Sequence, residues 1–294
     1  MKALILALAL PLVAQEASDT HGAFGATGNR MAYGPGSDRE RLQEAGAFLD
    51  VDFRQSGGFK LQGASGTILQ RDGTTSKEQT GFVSMRFYGG GQKGEGKLLM
   101  QVDAFGERYQ PQVAREVKTH GFGFHLGYLS DIDPEKADHF FDAAYYSTQY
   151  DSGLRVGQFT PTFGFGFSEN REWIQLAADL ITLQDPAYPD WSDHEVAFRL
   201  SWSHYLQPGW AIKPKSFILA AQVGRRAYAV DPDLGLLLTI PQAQGPGGSL
   251  GLTWKGRSGL GLTVTGSAYR YLDRPSGEAL YTARALAASL HFSW

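Results

Sequence analysis

Long stretches of the chain place an apolar residue at every second position. In "AFLDVDFR" (47–54), Ala47, Leu49, Val51 and Phe53 share one face, and Phe48, Asp50, Asp52 and Arg54 share the other. "KLLMQVDAFGE" sets Leu98, Met100, Val102 and Ala104 against Leu99, Gln101, Asp103, Phe105 and Glu107, and "GFGFHLGYL" sets Phe122, Phe124, Leu126 and Tyr128 against glycines and His125. "EVAFRLSWSHY" and "GLGLTVTGSAYRY" repeat the pattern with Val196, Phe198, Leu200 and Trp202, and with Leu260, Leu262 and Val264. The C-terminal stretch does the same through Leu286, Ala288, Leu290, Phe292 and Trp294. Successive strand side chains point to opposite faces, so each stretch is a β-strand with one apolar and one polar side.

About twelve such strands, with ten to fourteen left open, are separated by turn-forming residues. A soluble sandwich and a membrane barrel both use this pattern. The polar faces carry Asp50, Asp52, Arg54, Arg86, Asp103, Glu107, Arg155, Glu195, Arg199 and Arg226 among Gly, Ser and Thr, which suits a hydrated lumen. Tyr and Trp gather near strand ends, among them Tyr128, Trp202, Trp210, Trp254, Tyr271 and Tyr281, as aromatic girdles do. The expected fold is an all-β, antiparallel, up-and-down transmembrane barrel.

Connections support that topology near the C-terminus. Tight "GRSG" (256–259), "QPGW" (207–210) and "QYDSG" (149–153) alternate with longer intervals, so the tight turns are assigned to the periplasmic end. "QSGG" (55–58) is short where this count requires an external loop. In the longest interval, "SENREWIQLAADLITLQD" spaces Trp173, Leu176, Ala177, Leu180 and Leu183 as a helix would and ends against Pro186. A short helix is expected there, packed on the rim or folded into the lumen as a constriction.

Composition narrows the class. With 37 glycines, 19% charged residues and a mean hydropathy of −0.27, the chain is neither disordered nor a helical membrane protein. A net charge of −3 leaves no footprint for nucleic acid. The absence of cysteine excludes disulfides and covalently attached c-type haem, and no cofactor is expected. "MKALILALALPLVAQEA" reads as a signal peptide over residues 1–14, its apolar run being too short to span a bilayer. Residues 15–43 are read as a polar lead-in, with "GAFGATGNRMAYG" (22–34) as either a further strand or a cap, and residues 44–294 as the barrel.

The stretch "LRVGQFTPTFGFGFSENREW" (154–173) resembles a segment of porins of the phosphate-selective type and of the barrel subunits of porin-cytochrome conduits. The resemblance implies an outer-membrane pore. The lumen faces carry no cluster of lysines, so no phosphate ligands are carried over. The C-terminal row Leu290, Phe292 and Trp294 resembles the signal read by the barrel assembly machinery, with Leu286 and Ala288 in register, and implies that the last strand closes on the first.

Candidate chemistry is sparse. The histidines show no HxH or HxxxH spacing, and no metal site is expected. His291 and Ser293 share an inward face, which admits an outer-membrane hydrolase, but that face turns away from lipid. "GGGQKGEGK" (89–97) lacks the ending of a phosphate-binding loop. The expected function is non-enzymatic: passive diffusion of small polar or anionic solutes through a charged lumen in the bacterial outer membrane. The alternative is a structural barrel sheathing a partner such as a multihaem cytochrome. Partners are outer-membrane lipid and the assembly machinery, with a cytochrome under the alternative, and no nucleic acid.

Overall fold

The computed structural model describes residues 20–53, 56–90, 96–112, 116–130, 138–168, 171–184, 193–206, 214–231, 236–238, 242–256 and 258–294. The signal-peptide segment and Arg54 lie outside them. The strands are β1 (Thr20–Tyr33), β2 (Arg39–Phe53), β3 (Gly57–Gln70), β4 (Thr75–Gly89), β5 (Lys97–Pro111), β6 (Val117–Leu129), β7 (His139–Tyr150), β8 (Arg155–Phe167), β9 (Glu172–Gln184) and β10 (His194–Tyr205). They continue with β11 (Ser216–Gly224), the short β12 (Val230–Asp231) and β13 (Leu236–Leu237), then β14 (Ala243–Lys255), β15 (Leu260–Leu272) and β16 (Ala279–Ser293).

All but β12 and β13 join in one closed antiparallel barrel of 14 strands, in which each strand pairs with its neighbours in sequence and β16 returns to β1. The seal runs from Ala23 opposite Ser293 to Tyr33 opposite Ala283. Closure satisfies every ladder, as a chain surrounded by hydrocarbon requires.

Pleating sorts the residues as the alternation requires. Phe122, Phe124, Leu126 and Tyr128 of β6 are exposed, while His125 between them is buried. Leu286 and Phe122 are 61% and 58% exposed, and similar residues surround the barrel. Such a continuous apolar surface is suited to lipid. Leu126→Arg, within the outward row Phe122 to Tyr128 of β6, is expected to cost about 2–4 kcal/mol in a bilayer. Urea unfolding in lipid vesicles measures this, with exposed Thr75 at a strand end as a control site that should tolerate arginine.

Three expectations are corrected. The strand number is 14, not about 12. Residues 20–43, read as mostly a polar lead-in, form β1 and the start of β2, so the barrel begins before residue 44. The stretch read as a loop helix is β9, paired along both edges, and no helix occurs among the described residues. Restoring β9 also reverses the topology of everything before it. "QYDSG" moves to the end away from the termini, and "QSGG" joins the end that carries them, removing the conflict over its length.

Among the described residues the aromatic girdle is one-sided. Phe53, Phe87, Tyr128, Phe141 and Phe167 are exposed near the end that carries the termini. At the far end Tyr271 and Tyr281 turn inward instead, stacked at 5.1 Å, with Tyr33 edge-on to Tyr281.

Candidate functional site: a lumen divided by an inward hairpin

Gly224 ends β11 with φ at 85°, in the left-handed region that glycine tolerates, and the chain then turns into the barrel. Arg226 and Gln244 exchange backbone hydrogen bonds of 2.8 and 2.7 Å, pinning the base of the excursion to β14. Ala227, Tyr228 and Ala229 pack against Tyr150, Leu154, Val156, Ile181 and Leu183 from β7 to β9. Further in, the β12–β13 hairpin places Val230 and Leu237 against Phe82, Phe105, Ala144 and Tyr146 of β4, β5 and β7. These strands lie across the barrel from β11, so the hairpin spans the lumen.

Polar contacts hold the hairpin to the wall. Gln158 on β8 donates to the Val230 carbonyl at 3.0 Å and accepts from the Val230 N–H at 2.8 Å. Asp179 on β9 is completely buried and meets Arg199 Nε at 3.0 Å and Arg226 Nε at 3.3 Å. Thr160 donates to the same carboxylate at 3.0 Å. Asp231, on the hairpin, meets Arg199 at 3.2 Å and Arg226 at 3.8 Å. Two carboxylates and two guanidiniums thus alternate between wall and hairpin, each charge partnered as burial requires. Nearby, Glu195 meets Arg225 at 2.9 Å and Arg274 at 3.7 Å.

A second cluster joins β5, β6 and β7. His125 Nε2 lies 2.8 Å from Asp103 Oδ2 and 2.7 Å from the Tyr146 hydroxyl, while Nδ1 lies 3.0 Å from Asp142 Oδ2. Glycines on β6 make the room: a Cβ on Gly121 would come within 2.4 Å of the Phe105 ring, and one on Gly123 within 2.5 Å of the Tyr146 ring. The imidazole is held between two carboxylates beneath Phe105 and the hairpin. This arrangement ties three strands together. The sequence showed His125 on a glycine-lined inward face, but its partners come from neighbouring strands. Among the described residues there is no cluster of metal-ligand type.

Beside the hairpin lies a cavity of about 720 Å³. The wall from β14 to β1 contributes Thr27, Ser249, Thr265, Ser267, Ala287 and Ser289, all small and neutral. Charge is confined to other sectors, where the cavity touches Arg39, Glu44, Asp50, Lys60, Glu78 and Arg199.

The expected pore residues fall unevenly on this plan. Asp50, Asp52 and Arg86 come together, with Arg86 hydrogen-bonded to Asp50 and 3.8 Å from Asp52, which also accepts from Tyr88 at 2.7 Å. Asp103, Glu107, Glu195 and Arg199 face inward and are buried or half-buried. Arg226 is inside, though on the hairpin stem and not on a barrel strand. Arg155 has the outward parity of β8 and is exposed at its end, so it does not line the lumen. Leu290 points outward, Phe292 lies 5.8 Å from Phe24, and Trp294 exchanges backbone hydrogen bonds with Gly22.

No family model matches the chain, and no curated protein matches it in sequence. Among solved structures, a FadL homologue of Pseudomonas aeruginosa superposes with a TM-score of 0.50 at 9% identity, over 93% of this chain and 89% of that one. The toluene transporter TodX of Pseudomonas putida gives 0.51 at 8% identity, over 94% and 89%. A bacterial polysaccharide outer membrane secretin gives 0.50 at 9%, over 93% and 98%. The fold is that of an outer-membrane β-barrel. At these identities the likeness is one of architecture alone.

Proposed function

We propose that the protein is an outer-membrane channel that passes small, uncharged or weakly polar solutes by passive diffusion through the part of the lumen its hairpin leaves open. The observation that carries this reading is the neutral wall of Thr, Ser and Ala beside the 720 Å³ cavity. Arg86, Arg199 and Arg226 are each engaged by carboxylates, which argues against an anion track. That the superposed barrels include a toluene transporter agrees with passage of uncharged molecules.

The narrower readings gain less. A sheathed cytochrome would require a lumen cleared of the hairpin and its ion pairs. A hydrolase would require His291 and Ser293 to cooperate. Instead, the Ser293 hydroxyl donates to the Gly259 carbonyl at 3.2 Å, and a Cβ on Gly261 would come within 2.3 Å of the His291 ring. The outward aromatic row of β16 supports its role as the assembly address, with the termini at the periplasmic end.

Liposome swelling and planar-bilayer recording test the channel. The expected result is faster swelling with small neutral polyols than with anions of equal size, together with a small single-channel conductance. A folded, inserted protein showing neither would remove the proposal. Ala287→Trp, which fills the neutral side of the cavity, is expected to reduce both signals severalfold with little effect on insertion.

A further inference from the structure

The outward surface at the far end carries unpaired positive charge on contiguous strands. Arg284 on β16 and Arg41 on β2 flank Ala32 of β1, each directly paired with it, so their Cα atoms stand about 10 Å apart. Arg30 lies two residues along β1 on the same face, and Arg270 on β15 faces Thr282, two residues from Arg284. Arg30, Arg270 and Arg284 are exposed and Arg41 half-buried. None has a carboxylate partner among the described residues, although Asp38 and Glu40 are exposed nearby. On β5 and β6 of this belt the charges are answered: Glu116 takes Arg108 at 2.6 Å and Lys118 at 3.4 Å. Hydrogen bonds from Arg108 and Gln110 hold its carboxyl down at about 2.

The height of the patch is fixed by the apolar band. Arg30 pairs with Leu286, the most exposed of the large apolar residues, and Arg284 lies two residues beyond Leu286 on the same outward face. The guanidiniums therefore stand where hydrocarbon gives way to headgroups. An outward cleft of about 450 Å³ opens beside Arg270 and Arg284, lined also by Ala32, Pro35, Leu280 and Thr282. Guanidiniums suit phosphate because they present paired donors, and the apolar floor below the cleft suits acyl chains.

We propose that this face of β15, β16, β1 and β2 binds a membrane lipid through the phosphate of its headgroup, with Arg30, Arg41, Arg270 and Arg284 as the recognising residues. The site lies outside the barrel and does not depend on what the lumen conducts.

The test uses the full protein in phosphatidylcholine vesicles carrying a trace of spin-labelled phosphatidylglycerol, or of phosphatidylcholine with the same label, and measures the lipid fraction immobilised by the protein. The wild type is expected to favour the anionic lipid by at least about fivefold, the factor contributed by one near-surface arginine. The quadruple change R30Q, R41Q, R270Q and R284Q should abolish the preference. Changing all four to lysine should retain part of it, and K77Q with R155Q, elsewhere on the belt, should leave it intact. If the quadruple variant does not insert, R30Q with R41Q and R270Q with R284Q serve separately, each reducing the preference. Equal binding of the two lipids by the wild type overturns the proposal, as does a preference unchanged in the glutamine variants. Loss of the preference in excess inorganic phosphate at matched ionic strength also overturns it, by showing a free-anion site. Conductance of the same preparations is read separately, so failure of lipid binding and failure of the channel are distinguishable.

Discussion

Replacing residues 227–239 with a short Gly-Ser linker is expected to raise single-channel conductance roughly threefold, because ionic flow follows open cross-section and, among the described residues, the hairpin is the element that crosses the lumen. The barrel should survive the excision, since β12 and β13 pair only with each other and every barrel ladder runs without them. Leu237→Asp is a point-mutant version of the same experiment. It puts a carboxylate into the apolar contact with Phe82, Phe105 and Tyr146, and expulsion of the hairpin is the least costly relief. Both variants should also lose discrimination by solute size in liposome swelling. Conductance equal to wild type in both, with the proteins folded, would show that the hairpin does not limit the pore.

Asp179→Ala should have the largest effect on stability. The Asp179 carboxylate is fully buried and receives Arg199, Arg226 and Thr160, so its removal strands two guanidiniums with Asp231 as the remaining carboxylate. Breaking a buried pair by removing one partner costs about 3–5 kcal/mol, and the lower end applies because Arg199 borders the cavity. Urea unfolding in vesicles, followed by tryptophan fluorescence, should show this loss. Asp179→Asn, which can still accept from Thr160, should lose less. Because Arg199 and Arg226 also hold Asp231, the alanine variant should flicker between conductance levels. A loss below about 1 kcal/mol would mean that the ring of charges is hydrated enough to stand without its buried member.

The superposed barrels differ from this protein in nearly all of their sequence, yet they superpose over most of its length. A lipid-facing barrel asks only for outward apolarity, inward compatibility with water or with itself, and closure, and many sequences meet these demands. The identity of a solute is written in lumen side chains, which such a likeness does not carry.

Alternation was legible where lipid and lumen impose opposite chemistry on adjacent residues, as in β5, β6, β10 and β16, and there it established both the strand and the direction of each side chain. β1 lacked that contrast, because Gly22, Ala23, Gly25, Ala26, Thr27 and Gly28 give both faces small residues. β9 was obscured for the opposite reason. Ala177, Ile181 and Leu183 point inward but are apolar: Ile181 and Leu183 pack on the hairpin stem, Ala177 borders the cavity, and with Leu176 and Leu180 outside they mimic a helical stripe. One misread strand was enough to invert the assigned ends of all turns before it.

The sequence by itself determined a membrane barrel, the inward charges of β2, β4, β5 and β10 and the absence of disulfides, because these follow from residue type and a period of two. Only the tertiary structure decided the strand number, the pairing of Arg86, Arg199 and Arg226 with carboxylates, the His125 cluster and the inward course of residues 225–231 and 236–238. Those depend on which strands become neighbours when the barrel closes and on what a loop meets when it turns inside. Such contacts join residues far apart in the chain and leave no local periodicity.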